Sequence, residues 1–144
     1  MNHHPATARA LGLVAHPEGG WYRRVYTSPY ELSHPERQGV RPTASLIHYL
    51  LRPGEQSRWH KVASDEIWLL HRGGLNLYIS PPGLHPTIEQ HHRLGTDPAN
   101  GDCLQILVPA GHWQRAVPIG DSEALVSCLV TPGFDFEDFT LHSE

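Results

Sequence analysis

Short runs of β-branched and aromatic residues alternate along the chain with turns rich in glycine and proline. This pattern predicts β-strands rather than amphipathic helices. The predicted strands cover residues 21–27, 43–51, 58–60, 66–71, 75–80, 87–94, 103–108, 113–117 and 124–131, and a polar loop is predicted over 28–42. One short helix is predicted over 8–11, capped by Thr7 and ended by Gly12. So many short strands indicate an all-β fold in which the sheet closes into a barrel or a two-sheet jelly roll.

The composition limits which binding partners and which cellular location we expect. The 144 residues match one domain spanning 1–144, and the net charge of −4 without a basic run disfavours nucleic acid. No apolar run approaches the roughly 20 residues of a membrane helix, and no secretory leader is evident. Cys103 and Cys128 sit in apolar runs, which predicts buried thiols and a cytoplasmic location.

The segment 54–73 carries the most specific chemical pattern. Gly54, His60, Glu66 and Gly73 have the spacing of the first cupin signature, in which a second histidine stands where this chain has Val62. A second block, PAGHWQ at 109–114, resembles the second cupin signature with Gln114 in place of its histidine. In metal-binding cupins three histidines and one glutamate bind Mn, Fe, Ni or Zn. The resemblance therefore implies a central site from which two imidazoles have been lost.

Five blocks in order resemble the cupin_5 family, formerly DUF985. They are HPEGGWYRRVYTS, SLIHYLL, SRWHKVASDEIWLLHRG, VPAGHWQRA and PGFDFEDF, and they span about residues 11 to 141. The resemblance implies an RmlC-like jelly-roll barrel, a double-stranded β-helix, and usually a homodimer. It implies no common reaction, because members of this family share none that is established.

The donor set bears on whether a metal binds. Imidazole is the strong neutral ligand for transition metals, valine cannot coordinate, and a glutamine carbonyl is a weak donor. His60, Glu66 and Gln114 could hold a divalent ion only loosely, completed by water or substrate. Without a metal, the same three groups form a donor and acceptor cluster suited to a polar ligand, so no cofactor is required.

Alternation along the strands assigns side chains to the barrel interior. On the cupin register His60, Glu66, Trp68 and Gln114 point inward, and Arg58 shares the face of His60 unless it is a solvated rim charge. Three further ligand-binding candidates remain. The resemblance places Glu18 beside the pocket, and Tyr49 either forms a pocket wall or belongs to the hydrophobic core. The third candidate is Arg23 or its neighbour Arg24. One of these two arginines, which lie on opposite faces of one strand, could bind an anionic group. The acidic, aromatic tail is expected to pack its phenylalanines on the barrel exterior or on a partner subunit.

Three functions remain open from the sequence. The first is a metal-independent isomerase or epimerase acting on a small polar, sugar-like or anionic molecule, with His60 as base and Glu66 as its partner. The second is a non-catalytic binding or storage-type cupin, for which an aromatic pocket with few polar groups is equally suited. The third is a weakly metal-dependent enzyme, which the missing imidazoles disfavour.

Overall fold

A computed structural model describes residues 4–87 and 90–143. Over these ranges the chain forms one α-helix, two 3-10 turns (Pro98–Asn100 and Phe136–Asp138) and short strands. The helix is α1 (Ala6–Leu11), and the strands are β1 (Val14–Ala15), β2 (Trp21–Thr27), β3 (Glu31–Ser33), β4 (Val40–Pro42), β5 (Ser45–Leu51), β6 (His60–Val62), β7 (Asp65–Arg72), β8 (Leu75–Ser80), β9 (Gln90–Leu94), β10 (Gln105–Val108), β11 (Trp113–Pro118), β12 (Ala124–Thr131) and β13 (Phe139–Leu141). The all-β prediction is confirmed.

The strands form two antiparallel sheets that pack face to face. One sheet has the order β1-β2-β5-β12-β7-β10, and the other has the order β13-β6-β11-β8-β9. A small hairpin, β3-β4, stands apart from both. Neighbours in each sheet are mostly distant in sequence, which is the arrangement of a jelly roll. The predicted jelly-roll barrel is thus observed.

The core fills one end of the space between the sheets. Its fully buried side chains come from both, and include Leu51, Trp68, Leu75, Leu77, Leu94, Ile106, Val108, Ala116, Ala124, Val126 and Cys128. These residues alternate along their strands with more exposed positions, as a half-buried sheet requires. The prediction that Glu66, Trp68 and Leu70 face inward is confirmed, because the first two are buried and Leu70 packs against the core.

The N-terminal helix differs in one detail from the prediction. Gly12 ends it in the left-handed conformation (φ 69°), as expected for a C-terminal cap. Its N-cap, however, is Pro5, and the Thr7 hydroxyl instead donates to Glu123 at 2.5 Å. The helix buries Ala8 against Leu50 on the outer face of the larger sheet. None of the helices in the described ranges has the length and apolar character needed to cross a membrane.

Several strand boundaries were predicted wrongly. The loop predicted over 28–42 contains the β3-β4 hairpin, and Val14–Ala15 forms an edge strand that the sequence did not suggest. Strand β6 begins at His60 rather than at 58, so Arg58 precedes it. Very short edge strands carry too few alternating residues to be recognised from pattern. Of the strand predicted over 87–94, residues 88 and 89 lie outside the described ranges.

The C-terminal tail lies across the open end of the barrel. Strand β13 pairs with β6, and the buried Asp138 accepts two hydrogen bonds of 2.8 Å from the Arg41 guanidinium. This position brings Phe134, Phe136 and Phe139 into the wall of a cavity at that end. The prediction that these phenylalanines pack on the barrel exterior was wrong, because pairing with β6 carries the tail across the open end. The alternative, that they pack on a partner subunit, stays a prediction.

Candidate functional site

A cavity of about 620 Å³ opens at the end of the barrel opposite the apolar core. Its size falls within the range of small-molecule sites, roughly 300–1,000 Å³. Both sheets and the tail contribute to its wall, which comprises Gly12, Val14, His16, Glu18, Tyr22, Arg23, Arg24, Ile47, His60, Val62, Glu66, Val130, Phe134, Asp135, Phe136 and Phe139. Four predicted site residues, Glu18, Arg23, His60 and Glu66, therefore share this cavity with the aromatic tail.

His60 is the first residue of β6 and is 2% exposed. Its Nδ1 lies 2.7 Å from the carbonyl oxygen of Arg58, and its Nε2 lies 2.7 Å from Oε2 of Glu18. The Phe139 ring stacks on the imidazole with centroids 5.6 Å apart. Both ring nitrogens thus face acceptors, which holds the imidazole in one orientation. The contact partner of His60 is Glu18 rather than the predicted Glu66.

The HPEGG turn directs Glu18 into the barrel. The Glu18 N–H donates to Nδ1 of His16 at 3.0 Å, and its carbonyl accepts from the Arg58 N–H at 2.7 Å. Gly19 follows at φ 108°, and a Cβ atom there would lie 2.3 Å from the Gln56 carbonyl oxygen. Only glycine fits this approach. The turn therefore presses against the loop before β6, which carries Glu18 to His60.

Glu18 and His60 form a buried ion pair. Burial alone would raise the pKa of the Glu18 carboxyl, but the charged His60 imidazole in contact with it lowers that pKa below its usual value. Burial likewise would lower the pKa of His60, yet the Glu18 carboxylate outweighs it, so the pKa of His60 is raised. Each partner keeps the other charged inside the barrel.

Glu66 behaves in the opposite way. Burial raises its pKa to about 7, because attraction to His60 is offset by repulsion from Glu18. One oxygen accepts from Nε2 of Gln114 at 2.8 Å, and the Gln114 oxygen accepts from Nε1 of Trp68 at 2.8 Å. This chain of hydrogen bonds fixes the amide orientation. The predicted inward positions of Trp68 and Gln114 are confirmed, although both lie behind Glu66 and outside the cavity wall.

His16 is a site residue that sequence reasoning missed. Its Nδ1 accepts the Glu18 N–H, so the neutral ring carries its proton on Nε2. Burial lowers the pKa of His16, which favours this neutral form. Its edge-on contact with Tyr22 places the ring centroids 4.4 Å apart in the cavity wall. The signal was available, since His16 begins the same HPEGG motif that supplied Glu18.

The remaining candidates divide between the mouth, the core and the exterior. Arg23 and Arg24 are exposed and both line the mouth. Tyr49 is buried in the core, where its hydroxyl donates to the Gly19 carbonyl at 2.5 Å, so it supports the HPEGG turn rather than forming the cavity wall. Arg58 is exposed and absent from the cavity wall, so its predicted inward orientation was wrong. It precedes β6, where strand alternation does not apply.

The donor set does not fit a metal ion. Both nitrogens of His60 are engaged, Gln114 is committed to Trp68 and Glu66, and Val62 offers no ligand atom. Among residues 4–87 and 90–143, no three His, Cys, Asp or Glu side chains are grouped to hold a metal ion. Divalent transition metals in proteins usually have three or four such ligands. The residues present therefore do not match the metal centre that the cupin signatures describe.

Comparison with known proteins gives the same fold and extends the likeness over nearly the whole chain. The model of the family Cupin_5, described as Cupin superfamily (DUF985), matches residues 6–142. The uncharacterized protein YML079W of Saccharomyces cerevisiae is 33% identical over 89% of this chain and 69% of its own length. The crystal structure of protein SO0799 from Shewanella oneidensis is 36% identical, with a TM-score of 0.85 over 99% of this chain and 86% of that one.

A hypothetical protein from Leishmania major has a similarly close structure. It is 30% identical and has a TM-score of 0.86 over 94% of this chain and 85% of that one. These names carry no activity, so they leave the chemistry of the cavity to be argued from its residues. The family match and these relatives together show that the chain belongs to the Cupin_5 family of the cupin superfamily.

Proposed function

We propose that this chain binds a small molecule in the barrel cavity and moves a proton on it without a metal, as an isomerase or epimerase does. The observation that carries the proposal is Glu66, a buried carboxyl in the cavity wall whose pKa stands at about 7. A general acid–base group works best when its pKa lies near the operating pH. A carboxyl with no chemical role would more commonly be ionised and exposed, because burial of an unpaired carboxyl is costly.

The proposed step uses groups of this chain alone. The ionised Glu66 takes a proton from a carbon next to a substrate carbonyl, and the electron pair of that C–H bond moves toward the carbonyl oxygen to give an enolate. The neighbouring His60 imidazolium, held by Glu18, stabilises the developing negative charge. Glu66 then returns the same proton to the enolate oxygen, which converts the carbonyl compound into its enol tautomer without any co-reactant.

This assignment differs from the one expected from sequence. His60 cannot accept a substrate proton while Nδ1 contacts the Arg58 carbonyl and Nε2 contacts Glu18. We therefore assign the proton transfer to Glu66, and the electrostatic stabilisation to the Glu18–His60 pair. Such fixed charges act strongly in a site from which water is largely excluded.

Deuterium exchange into a panel of carbonyl compounds tests the proposed proton transfer. The protein is incubated in D₂O with 2-oxo acids, including phenylpyruvate, and with aldose and ketose phosphates. Loss of the C–H signal next to the carbonyl is followed by ¹H NMR against the protein-free rate. We expect Glu66→Gln to reduce catalysed exchange by about a hundredfold or more. Glu31→Gln, which changes an exposed glutamate outside the cavity, is the matched control.

One observation favours a second function, binding without turnover. An ion pair in which both ring nitrogens of His60 already face acceptors, one of them Glu18, resembles a structural element more than a mobile catalytic pair. Panel compounds that raise the melting temperature but show no catalysed exchange would favour this binding role. Catalysed exchange that is equal in Glu66→Gln and the wild type would remove Glu66 from the chemistry.

A further inference from the structure

We infer that the molecule bound in this cavity is an amphipathic anion: a carboxylate or similar group held at the mouth by Arg24, and a flat apolar body held against the phenylalanines of the tail. The inference deepens the proposed function and rests on it for the site, since the end of the ligand opposite the anion would reach Glu66. The inference names the chemical class of the ligand and assigns its selection to Arg24.

Strand register puts Arg24, rather than Arg23, on the inner face of the sheet. Arg24 pairs with Ile47, and Ile47 pairs with Cys128, whose own partner on β7 is the buried Trp68. This row faces the barrel interior, because Ile47 lines the cavity and Cys128 is buried. The side chain of Arg24 therefore starts from the interior face.

Arg23 belongs to the opposite face. It pairs with His48, which in turn pairs with Ser127, and these polar side chains contact each other on the outer face of the sheet. Arg23 reaches the rim of the mouth only by its length, where its Nη1 donates to the Leu11 carbonyl at 3.3 Å. From the sequence, Arg23 was the anion-binding candidate, and the choice between it and Arg24 stayed open. The strand register favours Arg24.

The charge at the mouth favours an anion. The Arg24 guanidinium donates through Nη2 to the Phe134 carbonyl at 2.6 Å, and among the residues that the structure describes it forms no ion pair with a carboxylate. Asp135, which also lines the cavity, caps its own 3-10 turn by accepting from the Glu137 N–H. A guanidinium retains further donors in a planar fork suited to a carboxylate or phosphate.

The wall between the mouth and Glu66 is apolar and aromatic. Phe134 and Phe136 meet edge to face with centroids 4.8 Å apart, and Phe136 packs against Phe139 at 5.8 Å. Phe136 remains 48% exposed at the mouth, although aromatic side chains gain most from being covered. A flat apolar body would cover this ring.

The same wall argues against a polyhydroxylated ligand. Apart from Gly12, its histidines and its charged side chains, the cavity is lined by aliphatic and aromatic groups: Val14, Tyr22, Ile47, Val62, Val130 and the three phenylalanines. A sugar ring placed against these groups would lose hydrogen bonds to water around its edge and find few to replace them. The wall thus selects an aromatic or aliphatic body over a free sugar.

A matched pair of fluorinated probes tests the ligand class directly. Binding of 4-fluorobenzoate and of 4-fluorobenzamide is measured by ¹⁹F NMR at about pH 6, where the Glu66 carboxyl is largely neutral. The two probes share a ring and differ in charge. We expect the wild type to bind the benzoate about tenfold more tightly, and Arg24→Met to bring the two affinities close together.

Companion variants separate charge from shape. Arg24→Lys keeps the charge and should retain part of the preference, whereas Arg58→Met, outside the cavity, should leave the affinity ratio unchanged. Phe136→Ala should weaken both probes by a similar factor, because it removes the apolar wall they share. Circular dichroism and melting curves confirm that each variant is folded, so a changed ratio reports on the site.

The outcomes decide the inference independently of the proton transfer. Equal affinities for the two probes in the wild type, an affinity ratio unaffected by Arg24→Met, or failure of both probes to bind would each overturn the ligand class. None of these results bears on whether Glu66 catalyses deuterium exchange in the carbonyl panel. Conversely, a preference for the anion that depends on Arg24 stands even when no exchange is found.

Discussion

The two ends of the barrel are built from the same strands but are filled by different chemistry. Along β7 the inward positions run from Glu66 at the open end to Leu70 against the core, and along β12 they run from Val130 to Val126. At the closed end the clustered core side chains are apolar. At the open end the buried titratable groups Glu18, His60 and Glu66 border a cavity whose wall also holds His16, Arg23, Arg24 and Asp135.

The two ends of the same pair of sheets therefore have different roles: the closed end stabilises the fold, and the open end carries the reactive groups. Apolar burial at the closed end stabilises the fold by roughly 25 cal/mol per Å². Buried carboxyls at the open end cost free energy unless they are paired, and Glu66 is only partly compensated by Gln114. The hydrogen bond from Trp68 to Gln114 forms the layer between the two ends. Three comparisons test this division, from the largest expected effect to the smallest.

The largest effect should follow truncation at the closed end. Leu77 is fully buried, and Leu77→Ala should lower the free energy of unfolding by about 3–4 kcal/mol through lost burial and a new void. Val130→Ala at the open end should cost only about 1.5 kcal/mol, because that side chain already borders a cavity. Urea denaturation measures both. Equal losses would show that the open end is packed as tightly as the core.

A second test uses the raised pKa of Glu66. The unfolded chain releases this proton near pH 4.5 and the folded chain near 7, so the folded state holds the extra proton between these values. The contribution of Glu66 to the free energy of unfolding is therefore fully present below about pH 4.5 and is lost as the pH rises through 7. The total loss is about 3 kcal/mol. Glu66→Gln, which cannot ionise, should lack this loss.

The measurement is the difference in unfolding free energy between wild type and Glu66→Gln across pH 4 to 8. Titrating groups that do not interact with Glu66 are common to both proteins, so their effects cancel in this difference. Glu31→Gln, at an exposed position, should give a difference that is flat with pH. A flat difference for Glu66→Gln as well would mean that Glu66 titrates as an ordinary carboxyl.

The smallest effect concerns the layer between the two ends. Trp68→Phe removes the donor to Gln114 and should cost about 1 kcal/mol. The amide would no longer be held toward Glu66, so the pKa of Glu66 should rise in a ¹³C NMR titration. Trp113→Phe is the control, since Trp113 donates to the Gly83 carbonyl at 3.0 Å outside the barrel. An identical pKa of Glu66 in both variants would remove Trp68 from the site.

Alternation along single strands, placed on the cupin register, predicted part of the site. His60, Glu66, Trp68 and Gln114 were expected to face inward, and each is buried there. Alternation is a local property of a strand, so it does not depend on the rest of the fold. It failed for Arg58, which precedes β6, and it could not choose between Arg23 and Arg24, because the hydrophobic pattern of β2 does not mark its inner face.

The contacts between distant segments could not be predicted in this way. Glu18 reaches His60 because the HPEGG turn packs on the loop before β6, and the phenylalanines enter the cavity because β13 pairs with β6. Neither segment carries a local signal for its partner. The pKa of Glu66 also depends on Glu18 and His60 together, so no inspection of its own strand would reveal it.

The amino-acid sequence by itself indicated an all-β barrel or jelly roll through its turn residues and short strands, and its resemblance to the cupin signatures implied the inward faces of the central strands and the replacement of two metal-ligand positions. Only the tertiary structure decided which carboxylate pairs with His60, which carboxyl stays near neutral pKa, and which arginine starts from the barrel interior. These properties arise from distances and burial, and both are set by segments that meet only when the two sheets close on each other.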